Sequence, residues 1–365
     1  MKLHFYFARK FLWIFLGLMT VFLLLQVLID LIEQLRKLGE SEASFSDILG
    51  LTLLNTPEGI NKLLPLVMIL ATVALFIGLA RSSELVVTRA VGRSGLKTLI
   101  APIVVALIVG GLAVTTFNPI VAATSKRYHE LYQMYRSGTA DVLSISSEGL
   151  WLRQGGPEGQ TVIRAGAANA QATVLYDVTF IAYARDGGPL KRIEAREAEI
   201  GDGHWVLHGA KVWPLTGGLN PEANATRHDR LELPSTLTYE RIRDSFGNPN
   251  AISVWDLPAY IAQLEQAGFS ARRHTVWLQM ELARPLFLMA MVLIGAAFTM
   301  RHVRLGGTGV AVLVSLLLGF GLHYVRNFAQ ILGENGQIPV LLAAWAPPLA
   351  ALLLGSGLLL HTEDG

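Results

Sequence analysis

The sequence predicts an α-helical membrane protein with six spanning helices and one water-exposed, all-β, jelly-roll-like domain inserted between the third and fourth spans. Three observations predict it. Apolar residues make up 52% of the 365 and the mean hydropathy is positive, a poor composition for a water-soluble chain. Those apolar residues gather in runs near both ends of the sequence. Residues from about 140 to 250 instead have the charged, Gly-punctuated texture of an ordinary soluble domain.

The first span is Phe11 to Ile32. Its apolar stretch is too long for a signal-peptide core, and Asp30, Glu33, Arg36 and Lys37 follow it rather than a small-residue cleavage site. The others are Leu63 to Ala80, Leu96 to Val121, Val276 to Met300, Gly306 to Leu332 and Pro339 to Leu360. Each has the roughly 20 residues that cross a hydrocarbon core. Basic residues of short loops collect on the cytoplasmic side. Lys2, Arg9 and Lys10 precede span one; Arg81, Arg89, Arg93 and Lys97 lie between spans two and three; Arg301 and Arg304 separate spans four and five. Residues Gly333 to Ile338 carry no basic group, and Glu33, Glu40, Glu42, Asp47 and Glu58 offset the first outer loop. Both termini therefore belong inside and the insert outside.

Within the insert, short alternating or β-branched stretches predict strands at Val142–Ser146, Leu150–Arg153, Thr161–Arg164, Thr173–Ala184, Leu190–Ile200, Trp205–Trp213 and Arg230–Leu233. Turns are marked by Gly155 to Gly159, Asp186 to Pro189 and Gly201 to Gly203, where positive φ is available. In Thr173–Ala184 one face carries Val174, Tyr176, Val178, Phe180 and Ala182, as in a strand packed on one side. The pattern predicts an antiparallel sandwich or jelly roll. A helix over Asp256 to Ala267 follows, with Asp256 as N-cap, Pro258 in the first turn and Gly268 as the stop. The domains are thus 1–139, with a short helix near 81–92, then 140–252, then 253–365.

The formal charge of +2 and the lack of a basic stripe interleaved with aromatics argue against nucleic acid as a partner. No cysteine is present, so there is no disulfide framework, thiolate metal site or thiol nucleophile. The histidines have no metal-ligand spacing, His129-Glu130 lacks a second His four residues on, and there is no Gly-x-Ser-x-Gly elbow. Gly92 to Thr98 superficially suggests a phosphate loop but lacks the four residues between Gly and Gly-Lys and follows no strand. No catalytic residue, metal or cofactor is expected on this chain.

The segment Ala80 to Gly92 is the most informative. Ser82 or Ser83 can cap a helix, Glu84 in the first turn suits the macrodipole, and Gly92 ends it. About ten residues cannot cross a bilayer, which leaves an amphipathic connector on the lipid surface or a docking helix for a partner. Arg36 and Lys37, just outside span one, can snorkel to the interface or pair with head-group phosphates. His323, Arg326, Asn327 and Gln330 share a face of span five, lining a cavity or tying helices together. Glu281 and Arg284 read as an interfacial ion pair one turn apart.

Arg81-Ser-Ser-Glu-Leu-Val-Val87, followed by Ala90-Val-Gly-Arg93, resembles the coupling helix of the lipopolysaccharide-export permeases LptF and LptG. Ile32 to Lys37, Glu148 to Trp151, Ser253 to Pro258 and Ala267 to Phe269 resemble that family's segments in the same order. Ile32 to Lys37 and Ala343 to Pro347 resemble the LptG branch more than LptF. The resemblance implies a bacterial inner-membrane subunit of an ABC transporter, with cytoplasmic termini and a periplasmic β domain. It implies an LptB-like ATPase dimer, an LptF-like permease chain and LptC-like and LptA-like bridge proteins as partners, with lipopolysaccharide as the transported lipid. It gives Glu84 a contact to the ATPase, with Arg81, Ser83, Leu85 and Arg89 on the same short element. Arg36 and Lys37 match residues that meet lipid A phosphates; His323 and Arg326 are the further candidates for lipid contact. The alternative is a mechanotransmission or scaffold protein whose outer domain recruits a partner without moving lipid.

Overall fold

The structure, a computed structural model, describes residues 2–39, 43–90, 95–137, 144–146, 149–156, 159–169, 173–184, 188–201, 203–216, 220–235, 248–266, 270–300 and 308–363. Its helices are α1 (Lys2–Leu38), α2 (Phe45–Arg81), α3 (Glu84–Ala90), α4 (Gly95–Leu112), α5 (Asn118–Ser137), α6 (Leu257–Gln266), α7 (Arg272–Leu282), α8 (Arg284–Thr299), α9 (Thr308–Glu334) and α10 (Val340–Glu363). The chain forms two compact units. One holds Met1–Arg136, Asn250–Trp255 and Arg272–Gly365; the other holds Ser137–Pro249 and Asp256–Ala271. The segment 253–365 is therefore shared between them.

In the first unit five helices among the described residues are long and apolar enough to cross a membrane. The sixth candidate is the pair α7 and α8, bent by 49° within what the sequence predicts as the fourth span, Val276 to Met300. Pro285, in the first turn of α8, has no N–H to continue the ladder and its ring clashes with the preceding turn. Gly110 of α4 lies against this break: a Cβ there would stand 2.6 Å from the Pro285 Cα, so only glycine permits the approach. Val67, Met68, Leu75 and Phe76 of α2 pack with Phe287, Leu288, Met291 and Ile294 of α8 in the main apolar core.

Helices α1 and α2 have 37 residues each, or about 56 Å, far beyond the roughly 30 Å of hydrocarbon. Their extensions past the expected spans are held by polar pairs. Asn55 donates to Asp30 at 2.8 Å and Gln34 to the Tyr128 hydroxyl at 2.7 Å. Leu38, Ile48, Leu51 and Tyr128 form a small apolar cluster beside them. Ser44 and Asp47 build a reciprocal capping box at the start of α2.

The second unit is one antiparallel sheet of seven described strands in sequential order: β1 (Ser144–Ser146), β2 (Gly149–Gly156), β3 (Gly159–Ala168), β4 (Val174–Ala184), β5 (Pro189–Ile200), β6 (His204–Pro214) and β7 (Thr226–Pro234). Five strand spacings of about 4.8 Å would separate β2 from β7 in a flat sheet. Yet Gln154 of β2 donates to the Pro234 carbonyl of β7 at 3.3 Å and accepts from the Trp205 indole of β6 at 3.3 Å. The sheet is therefore doubled over, jelly-roll-like in section although its strand order is a plain meander.

A crease makes that curvature possible. Ala165, Val178 and Ala195 form one buried row across paired strands, and Ala168, Leu175, Ala198 and Leu207 form the next, three residues along each strand. Between them Asp177 and Gly209 take positive φ, 51° and 64°. Simple alternation in β4 is thereby broken: Val178 and Phe180 are buried as expected, but Leu175 takes the place expected for Val174 and Tyr176. Tyr260, Ile261 and Leu264 of α6 close over the same apolar face, and Tyr260 donates its N–H to the Asp256 carbonyl at 3.0 Å. The expected stop at Gly268 lies outside the described residues.

Candidate functional site

The chain leaves α2 at Arg81, turns through Ser82 and Ser83, and enters α3 at Glu84. Ser83 has φ of 60°, a left-handed conformation that costs an L-residue about 1–2 kcal/mol and that separates the two helices within two residues. Its carbonyl accepts the Val87 N–H at 3.1 Å, starting the helix.

Glu84 faces α1. Lys10 Nζ donates to Glu84 Oε1 at 2.8 Å, Tyr6 Oη donates to Oε2 at 3.0 Å, and Ser82 Oγ lies 2.8 Å from Oε1. Partial burial pushes the Glu84 carboxyl up, but the bonds from Lys10, Ser82 and Tyr6 together outweigh it and hold the pKa below the ordinary glutamate value. One helical step on, Leu85 is 4% exposed and belongs to the main core, so it anchors α3 rather than sharing its outer face. Thr88 donates to the Glu84 carbonyl at 2.7 Å on the same inner side. Val86 and Val87 point outward, 52% and 62% exposed, with Arg81 and Ser83 exposed beside them. Arg89 lies within α3; its side chain is outside the described set.

Tyr6, Lys10, Val86 and Val87 are thus part of this site although their residue types alone do not single them out. The spacing of Tyr6 and Lys10, one helical turn apart, marks a shared face. Their partner lies more than 70 positions away, which no local pattern encodes.

At the far end of α1, Arg36 and Lys37 are both exposed, and Lys37 pairs with Glu33 at 2.5 Å. In α9, His323 and Asn327 bond one turn apart at 3.2 Å. Arg326 turns the other way. It is buried, its guanidinium 5.3 Å from the Phe287 ring centroid and within reach of the Met280 carbonyl, so it ties α9 to α7 and α8. The expected interfacial pair Glu281–Arg284 exists but is deeply buried, Glu281 being fully enclosed. The bend at the helix break brings both side chains inside, where Arg284 also donates to Asn61 of α2. Among the described residues no three His, Asp or Glu side chains gather as a metal site.

Comparison with known proteins covers nearly all of this structure. The family model of the lipopolysaccharide export system permease LptF/LptG matches residues 5–361. The lipopolysaccharide export system permease protein LptG of Haemophilus influenzae is 24% identical over 361 residues, 96% of each chain. LptG of Escherichia coli K12 is 24% identical over 353 residues, 93% of this chain and 91% of its own length. With the helices, the inserted sheet and the short helix between α2 and α4 in place along the full match, the chain belongs to the LptF/LptG family of lipopolysaccharide export permeases.

Proposed function

We propose that this chain is the transmembrane subunit of an ABC-type exporter that extracts lipopolysaccharide from the bacterial inner membrane and passes it to a periplasmic bridge. An LptB-like ATPase dimer supplies the energy, an LptF-like chain completes the cavity, and LptC-like and LptA-like proteins receive the lipid. Both termini are cytoplasmic and the β domain is periplasmic in this reading.

The observation that carries it is the construction of α3. Leu85 roots the helix in the core and Glu84 is bonded to α1, while Val86 and Val87 stand exposed. A short helix joined to two spans and offering an apolar pair outward is a handle for an external motor. Arg81, Ser83 and Glu84 frame that handle, and Arg89 continues it. Arg36 and Lys37 meet lipid phosphates at the mouth of span one. His323 contributes from α9; Arg326 acts from within the bundle as a tie.

Work on lipid comes from shape change, not bond chemistry. Closure of the ATPase dimer pushes α3, tilts α2 and α4, and narrows the cavity. The complex of this chain with its ATPase and partner permease tests the reading against the scaffold alternative. Lipopolysaccharide stimulates ATP hydrolysis and is released to an acceptor; Glu84→Lys, which puts a cation against Lys10, abolishes release. Hydrolysis that ignores the lipid, with no lipid released by the unaltered complex, would favour the scaffold.

A further inference from the structure

The third span is α4 and α5 joined by a π-helical turn, Ala113–Phe117. Such turns are rare inside α-helices and recur at functional sites. Here the Thr115 carbonyl accepts the indole N–H of Trp255 at 3.1 Å. Three residues on, Asn118 is 2% exposed and its Oδ1 accepts the backbone N–H of Val254 at 2.8 Å. Further along α5, Ser125 donates to Glu58 Oε2 at 2.9 Å, and Asn250 donates to Glu58 Oε1 at 2.9 Å.

The short segment Asn250–Trp255 is therefore held at both ends by polar bonds to α2 and to the third span. The chain passes directly from Trp255 into Asp256–Ala271, which belongs to the unit of the sheet, and there Leu257, Leu264 and Ala271 are buried. The Trp255 ring is 64% exposed, so burial of the indole is a minor reason for its position; its N–H bond to the π-turn defines it. The two elements that grip the segment, α2 and α4–α5, are the two that flank α3 in sequence.

From this arrangement we infer that Asn118 and Trp255 are positioning residues that fasten the third span to the strap re-entering the β domain, so that displacement at α3 is delivered to that domain. The inference rests on the proposed coupling role of α3. Helices are stiff along their axes, so a push at one end of α4–α5 arrives at Thr115 and Asn118. Two hydrogen bonds, one of them buried, then decide whether the strap follows.

Amide hydrogen exchange on the whole ATPase complex, with ATP trapped by vanadate, tests it. In the unaltered complex trapping changes exchange at residues 84–90 and also at 256–266. In Asn118→Ala with Trp255→Phe, the change at 84–90 persists and the change at 256–266 is lost. Asn118→Asp with Trp255 intact restores it, because the carboxylate still accepts the Val254 N–H. Equal transmission in the double variant overturns the inference, as does an unaltered complex whose 256–266 segment ignores trapping while 84–90 responds. No response at 84–90 in the unaltered complex instead refutes the coupling role itself. If the double variant does not assemble, Trp255→Phe alone, a change at an exposed ring, is held to the same comparison and must reduce the 256–266 response.

Discussion

The Glu84 carboxylate stands in the first turn of α3, where the helix dipole favours an anion, and it is simultaneously bonded by Lys10 and Tyr6 from α1. A pair exposed to this degree is worth about 0.2–1 kcal/mol, small enough for a docking partner to exchange it for its own contacts. Because the folded pKa is depressed below the ordinary value of 4.5, the tie is fully present above that pH and is lost as pH falls through the lowered pKa. A spin label at Val87→Cys, unique in a chain without cysteine, should report low mobility above pH 4.5 and rising mobility below it. Lys10→Met should move that transition to higher pH, since burial then acts with one fewer opposing bond. A transition indifferent to Lys10 would contradict the tie. The sequence marks Glu84 by its place in a helix start; it gives no sign that α1 supplies the partners, because ion pairs between distant segments leave no periodic trace.

Elements were legible where one physical constraint dominated. Lipid demands unbroken apolar runs, and the spans can be read from them; water on one face of a sheet demands alternation, and the strands can be read from that. Where two constraints overlap, the pattern fails. The extensions of α1 and α2 past the apolar runs are held by Asp30–Asn55 and Gln34–Tyr128, and hydropathy stops short of them. The break before Pro285 has a local signal, since Gln279, Glu281, Arg284 and Pro285 interrupt the apolar run and a proline inside a helical pattern ends or kinks it; mean hydropathy over the span averages that signal away. In the sheet, the crease at Asp177 and Gly209 shifts which residues face inward, so strict alternation misassigns Tyr176. Gly209→Val places a β-branched residue at φ of 64° and should destabilise the β domain by about 1–2 kcal/mol, seen as earlier thermal unfolding of that domain in the detergent-solubilised chain. An unchanged transition would mean that the crease does not need glycine.

For the whole molecule, helices, inserted sheet and family follow from hydropathy, turn chemistry and the ordered short motifs, and the family match covers residues 5–361. Site geometry was less legible. Leu85 and Arg326 are turned inward by packing that depends on neighbours far away in sequence, whereas the exposure of Arg36 and Lys37 needs only the end of an apolar run. The proposed export role requires that lipopolysaccharide pass along this chain. Photocrosslinking residues placed at Leu35, beside Arg36, and at Leu233, on the inner face of β7, test this directly in inverted membrane vesicles carrying the complete exporter. The account predicts lipopolysaccharide adducts at Leu35 without ATP and at Leu233 only with it; absence of lipid from both positions in energised membranes would contradict it.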